Sequence, residues 1–267
     1  MMAEGHIPQA EIIGTRLHML RSQFYDVEHQ ISIFLPPRVN GQPEATYPVL
    51  YVTDANWLFG SAACALLLYS EARATEDVIL VGVGEGSTLV NIEASRGYRF
   101  TPQPHPIIPE GGGADAFCQF FTKQLFPFIE QTYSARSDDR GVVGFSLGGL
   151  WASYVMAQHS QMFQRYVVIS PPVAYAGEQI YAGLEQLRAR SADVAVYAAI
   201  SEHDYRDCRD SWQPWIDALS LGRSSGIRLR HEEFSGEYHD SVAIPAMLRG
   251  IRHLYGRPDF TPPPGPS

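Results

Sequence analysis

Five short apolar runs, "YPVLYV", "DVILVGVG", "RGVVGF", "RYVVIS" and "VAVYAAIS", recur along the chain with helix-length segments between them. A strand that is apolar at every position must be buried on both faces. Strands of that kind, alternating with helices, specify a mostly parallel sheet covered on both sides. The helical segments are "NWLFGSAACALLLYSEA", "ADAFCQFFTKQLFPFIEQTY", "LGGLWASYVMAQH", "GEQIYAGLEQLRARS", "DCRDSWQPWIDALSLGRSS" and "SVAIPAMLRGIRHLYG". Pro127 should kink or break the second of these. Ahead of them, "EIIGTRLHML" and "HQISIFLP" read as strands closed by turn or proline signals, placing antiparallel strands at the N-terminal edge. The segment from Glu85 to Gly113 is rich in Pro and Gly and reads as a long loop. "IRLRHEEFS" is the last strand, and "SGEYHDSV" the loop after it.

The chain has 267 residues, of which 45% are hydrophobic and 18% charged, enough for a single α/β domain over residues 1–256. The tail 257–267, "RPDFTPPPGPS", is expected to be disordered. A formal charge of −9 with no basic run argues against nucleic-acid partners and against docking on anionic membranes. The N-terminus has no positive start and no apolar block, so no signal peptide is expected, and no stretch is long enough to span a bilayer. Cys64, Cys118 and Cys208 are far apart and odd in number, which fits a reducing compartment; a cytoplasmic location is the expectation. No cysteine or histidine cluster has metal-ligand spacing in the sequence, and neither metal nor cofactor is expected.

In a sheet of this type, ligands sit at the carboxyl ends of the strands. There the chain carries Gly144-Phe145-Ser146-Leu147-Gly148, between a strand and a helix. A serine hydroxyl is a poor nucleophile unless a base takes its proton and donors hold the oxyanion. Glycines on either side permit a sharp turn that thrusts Ser146 over the sheet edge, with the Leu147 N–H at the start of the helix. Of the later histidines, His159 and His253 fall on helices and His231 inside a strand. His239 lies in the loop between the last strand and last helix, from which an imidazole can reach back over the sheet, and is the candidate base. The acid should follow "VAVYAAIS". Asp204 is the choice, with Glu202 and Asp207 as rivals. A second oxyanion donor should come from "TDANW", at the N–H of Ala55 or Asn56, while Asp54 is expected to tie that loop by side-chain to backbone bonds. Trp57 suits a pocket wall and a core position equally.

These stretches together resemble the esterase D type family of α/β-hydrolases, and within it the siderophore-esterase-like branch of bacterial enzymes. "YPVLYVTDANWLF" is similar to a family strand followed by "DGNWLF"; "GFSLGGLWASY" matches the elbow, "ISPP" the next strand end, and "YHDSVAIPAMLRGIRHLY" the histidine loop and last helix. The family includes esterases that cut enterobactin-like trilactones, feruloyl esterases, S-formylglutathione hydrolases and mycolyltransferases. The resemblance implies an α/β-hydrolase fold, Ser146 as nucleophile, His239 as base, and the N–H groups of Asn56 and Leu147 as the oxyanion hole. It also places Arg96 near a family arginine, suited to a substrate carboxylate or catecholate through its planar fork. Four departures stand out: Phe145 where histidine is frequent, Ala55 for glycine, Arg99 in place of an acid, and "PVAYAG" where tryptophans are common. Phe145 implies a drier pocket.

The expectation is therefore a serine esterase working through an acyl-enzyme on a small or medium ester or lactone, possessing substrate contacts at Trp57, Arg96, Tyr98 and Tyr175. Acyl transfer to an alcohol on the same machinery is the alternative, and a non-catalytic binding protein on the same scaffold is a third reading. The partner is a small-molecule ester; a homodimer is compatible with the sequence.

Overall fold

The computed structural model describes residues 12–37, 45–85, 92–190, 193–222 and 226–261. Among these, the apolar runs become the middle of one sheet. In chain order the strands are β1 (Thr15–Arg21), β2 (Glu28–Phe34), β3 (Tyr47–Thr53), β4 (Ile79–Glu85), β5 (Ala135–Phe145), β6 (Arg165–Ile169), β7 (Val194–His203) and β8 (Ile227–Tyr238). Their spatial order is β1-β2-β4-β3-β5-β6-β7-β8. The pairs β1–β2 and β2–β4 are antiparallel, and every pair from β4 through β3 to β8 is parallel. The α/β architecture with its antiparallel N-terminal edge is thus as the sequence pattern implies.

The two faces of the sheet feed two cores, because successive strand residues point to opposite sides. Val49 and Tyr51 of β3 join one cluster with Phe117, Phe121 and Trp151; Leu50 and Val52 join the other with Phe59, Met247 and Ile251. Val142 and Val143 of β5 divide in the same way. The helices α1 (Ala55–Glu71) and α8 (Ala243–Tyr255) cover one face. The other is covered by α3 (Ala114–Phe120), α4 (Phe126–Thr132), α5 (Leu147–Gln158), α6 (Gln179–Ala189) and α7 (Arg206–Ser220). Among the described residues no helix is long and apolar enough to cross a membrane.

Three local expectations are corrected, and the expected break near Pro127 takes a definite form. The long loop before Gly113 contains a helix, α2 (Ile92–Phe100); residues 86–91 lie outside the described residues. Gly97 disguised this helix, yet it is there for close approach: a Cβ on it would lie 2.6 Å from Glu110 Oε1 and 2.7 Å from Ile108 Cγ2. The helix containing Pro127 is divided into α3, a π-helical turn at Phe121–Leu125, and α4, with Pro127 in the first turn of α4. The Phe126 N–H bonds Phe121 O, five residues back, so the helix widens by one residue just ahead of the proline, which has no N–H to give. β8 continues past Ser235 to Tyr238 after a register shift near Gly236 (φ 76°), which carries the histidine loop to the sheet edge. The expected tail begins docked: the Arg257 N–H donates to Ala74 O (3.0 Å) and its Nε to Thr75 O (2.9 Å). Residues 262–267 lie outside the described residues.

Gly144, near the end of β5, is where the turn into α5 comes closest, since a Cβ there would lie 2.1 Å from Gly148 O. Gly144→Ala should destabilise the fold by about 3 kcal/mol, the upper range for overpacking. Urea unfolding checks this, and a variant as stable as the parent would show that the turn can relax.

Candidate active site

Each polar group of interest stands just past a parallel strand: Asp54 after β3, Ser146 after β5, Ser170 after β6, Asp204 after β7 and His239 after β8. Ser146 has φ 55° and ψ −121°, a conformation costly for a residue with a Cβ. The neighbouring strand helps to hold it there, because the Ser146 N–H donates to Ile169 O at 2.9 Å. Its hydroxyl meets His239 Nε2 at 2.9 Å, and His239 Nδ1 meets Asp204 Oδ1 at 2.5 Å. The chemistry of the partners sets the tautomer. An ionised carboxylate only accepts, so Nδ1 carries the proton and Nε2 is free to accept from Ser146.

Asp204 is the carboxylate brought to His239; its two rivals face elsewhere. Glu202 accepts from Ser235 Oγ (2.7 Å) and Gly236 N–H (2.8 Å), and Asp207 accepts from the Tyr175 hydroxyl (2.5 Å). The Asp204 side chain is fully buried. Burial alone would raise its pKa. The hydrogen bonds from His239, Ser170 (2.5 Å) and Ser201 (2.7 Å) outweigh this and hold the carboxyl well below the usual carboxylate range. The N–H groups of Tyr205 and Ser201 also donate to it. Ser170 and Ser201 were not singled out in the sequence; the one clue was a serine ending each of two apolar strands.

The imidazole of His239 lies between Phe145 (ring centroids 4.9 Å apart) and Tyr205 (4.2 Å). These rings limit its rotation and offer π-electron density to the ring when it becomes charged. Beside them opens a cavity of about 450 Å³, lined by Trp57, Leu58, Glu93, Arg96 and Ile244 as well as Ser146, His239 and Asp240. Leu147 and Asn56 are the first and second residues of α5 and α1. The first N–H groups of a helix lack intrahelical acceptors and carry partial positive charge. The Asn56 side chain clasps the backbone of Glu85: its Oδ1 accepts from the Glu85 N–H (2.9 Å) and its Nδ2 donates to the Glu85 carbonyl (3.2 Å).

The expected substrate contacts divide. Trp57 and Arg96 line the cavity, whereas Tyr98 and Tyr175 do not. Tyr98 packs against Gly113 and Tyr25, and Tyr175 stacks on His105 at 4.1 Å with its hydroxyl on Asp207. The Asp54 side chain was expected to bond the loop backbone but is committed elsewhere. It forms a buried, bidentate pair with Arg96, at 2.8 and 3.2 Å. Arg99, the unexpected cation, is buried on Glu85. Glu93, Asp240, Tyr205 and Ile244 were missed as lining residues, having no spacing to signal them.

Two Asp/Cys/His groups converge in space that sequence spacing did not reveal: Asp115, Cys118 and His159, and Asp204, Cys208 and His239. Burial pushes the Cys118 thiol up to about 12 and Cys208 higher still, which opposes the thiolate a metal would require.

The family model described as "Putative esterase" matches residues 22–215. The chain belongs to this esterase family. It is accordingly a carboxylic ester hydrolase. It is 28% identical over 261 residues to the ferri-bacillibactin esterase BesA of Bacillus subtilis (strain 168), covering 90% of this chain and 89% of that one. It is 29% identical over 250 residues to the siderophore enterobactin esterase of Emericella nidulans, covering 77% and 81%. In fold, this esterase superposes on the crystal structure of the BES protein from Bacillus cereus with a TM-score of 0.83 at 24% identity, covering 94% and 98%.

Because the folded-state pKa of Asp204 is depressed, its carboxylate stabilises the fold above the unfolded value of about 4, and that stability is lost as pH falls through the folded pKa. The stability gap between wild type and Asp204→Asn should therefore narrow between roughly pH 6 and pH 3. Denaturant unfolding at both pH values measures it. A constant gap would mean that the carboxylate is not held in its ionised form.

Proposed function

We propose that this esterase is a serine hydrolase acting through a Ser146–His239–Asp204 triad and an acyl-enzyme, on a small or medium ester or lactone of the siderophore type. The observation that carries the reading is the continuous hydrogen-bonded line from Asp204 through His239 to Ser146, beside a cavity.

The steps follow from the groups present. Ser146 Oγ attacks the ester carbonyl carbon while His239 Nε2 takes the hydroxyl proton. The carbonyl oxygen becomes an oxyanion, received by the N–H groups of Leu147 and Asn56. Asp204, hydrogen-bonded to Nδ1–H, keeps the imidazole oriented and stabilises its charged form. The imidazolium gives its proton to the departing alkoxide, and the alcohol leaves an acyl group on Ser146. Water then repeats the sequence, with His239 as its base, and returns the free serine and a carboxylic acid. A cavity of about 450 Å³ suits a ligand the size of one ester arm with its ring. The siderophore assignment draws on the names of the two curated relatives.

Intact-mass labelling with a fluorophosphonate tests the nucleophile, and p-nitrophenyl esters of rising acyl length test turnover. One adduct on wild type and none on Ser146→Ala is expected. Ser146→Ala and His239→Ala should lower kcat by about 10⁴-fold or more, and Asp204→Asn by roughly 10²- to 10⁴-fold, with the fold intact. A folded wild type that takes no label and turns over no ester would leave a binding protein on an esterase scaffold.

A further inference from the structure

The resemblance points to Arg96 as the receptor for an anionic substrate group, but its guanidinium is already engaged. Nε and Nη2 donate to the two oxygens of Asp54, and Nη1 donates to Glu93 Oε2 at 2.8 Å. The Trp57 ring lies 4.9 Å from its centre, and the side chain is only 7% exposed. Among the described lining residues Arg96 is also the one permanently charged cation.

Carboxylates outnumber it. Glu93 lines the cavity with most of its side chain in solvent, and Asp240 also lines it, exposed and without an ion-pair partner among the described residues. Asp54 and Asp204 lie buried behind the wall. The remaining rim is apolar or aromatic, with Trp57, Tyr205 and Ile244 all exposed. Aromatic faces next to carboxylates attract cations and offer nothing to an anion.

We infer that this site selects its esters by charge, accepting neutral and cationic esters and repelling anionic ones. Among siderophore-type esters it favours the uncharged, iron-free ring over an iron(III) tris-catecholate complex, which carries net negative charge. The inference rests on the esterase reading of the same site.

Three p-nitrophenyl esters of equal acyl length, ending in methyl, carboxylate or trimethylammonium, provide the test. At low salt kcat/KM for the anionic ester should fall below that for the neutral one by roughly tenfold or more, with the cationic ester at least equal to the neutral. The gap should shrink as salt screens the rim. Asp240→Asn should raise the anionic-to-neutral ratio several-fold, and Glu93→Gln, which also loosens the hold on Arg96, should raise it further. Dissociation constants of the three esters on Ser146→Ala, measured by calorimetry, should keep the same charge order without turnover. Equal kcat/KM for the anionic and neutral esters at low salt would overturn the inference. So would a ratio indifferent to Asp240→Asn, or faster turnover of an iron-loaded catecholate trilactone than of its iron-free form. If wild type cleaves none of the three yet Ser146→Ala binds them in the expected order, the catalytic reading fails and the charge selection stands.

Discussion

Both faces of the sheet are covered, so the central strands must stay apolar until they end, and polar side chains can emerge only at their tips. Parallel pairing then puts the tips of β3, β5, β6, β7 and β8 along one edge. Ser146, Ser170, Asp204 and His239 are neighbours for that reason, although 93 residues separate the serine from the histidine. The strained backbone at Ser146 depends on the same pairing, because β6 receives its N–H. A conformation unfavourable in isolation is stable where a neighbouring strand and two glycines leave the chain no other route.

Two buried carboxylates then organise the site in different ways. Asp204 is surrounded by donors from three strand ends, so its charge persists in a place that water does not reach. Asp54 solves the same problem with a cation, and Arg96 in turn braces Trp57 and the start of α1. Each solution costs desolvation and is recovered by hydrogen bonds of good geometry. Their joint effect is that the cavity presents a neutralised guanidinium beside two exposed rim carboxylates, Glu93 on that guanidinium and Asp240 without an ion-pair partner among the described residues, a balance that differs from what the arginine alone suggests.

Much of this was legible from local pattern. The doubly buried strands, the elbow at Ser146 and the position of His239 after the last strand all follow from short-range physics. So does the break near Pro127, although its form, a widened turn with one longer hydrogen bond, depended on how α3 and α4 pack. The helix Ile92–Phe100 was obscured because Gly97 reads as a breaker in sequence and acts as a contact in the fold. Tyr98 and Tyr175 were misplaced as pocket residues because an aromatic near a site in sequence can point to either side of it; packing turned both away.

By itself the sequence determined the sheet, its antiparallel edge, and which strand ends carry Ser146 and His239, since periodicity and turn chemistry act over a few residues. It favoured Asp204 but left Glu202 and Asp207 as rivals, because three acids so close in sequence differ only in direction. The tertiary structure chose among them: the end of β7 aims Asp204 inward to four donors and His239, while its neighbours turn toward Ser235 and Tyr175. The pairing of Arg96 was likewise decided in three dimensions, by a partner 42 residues away. Orientation and pairing across the sheet edge are properties of the assembled fold, and no window of sequence contains them.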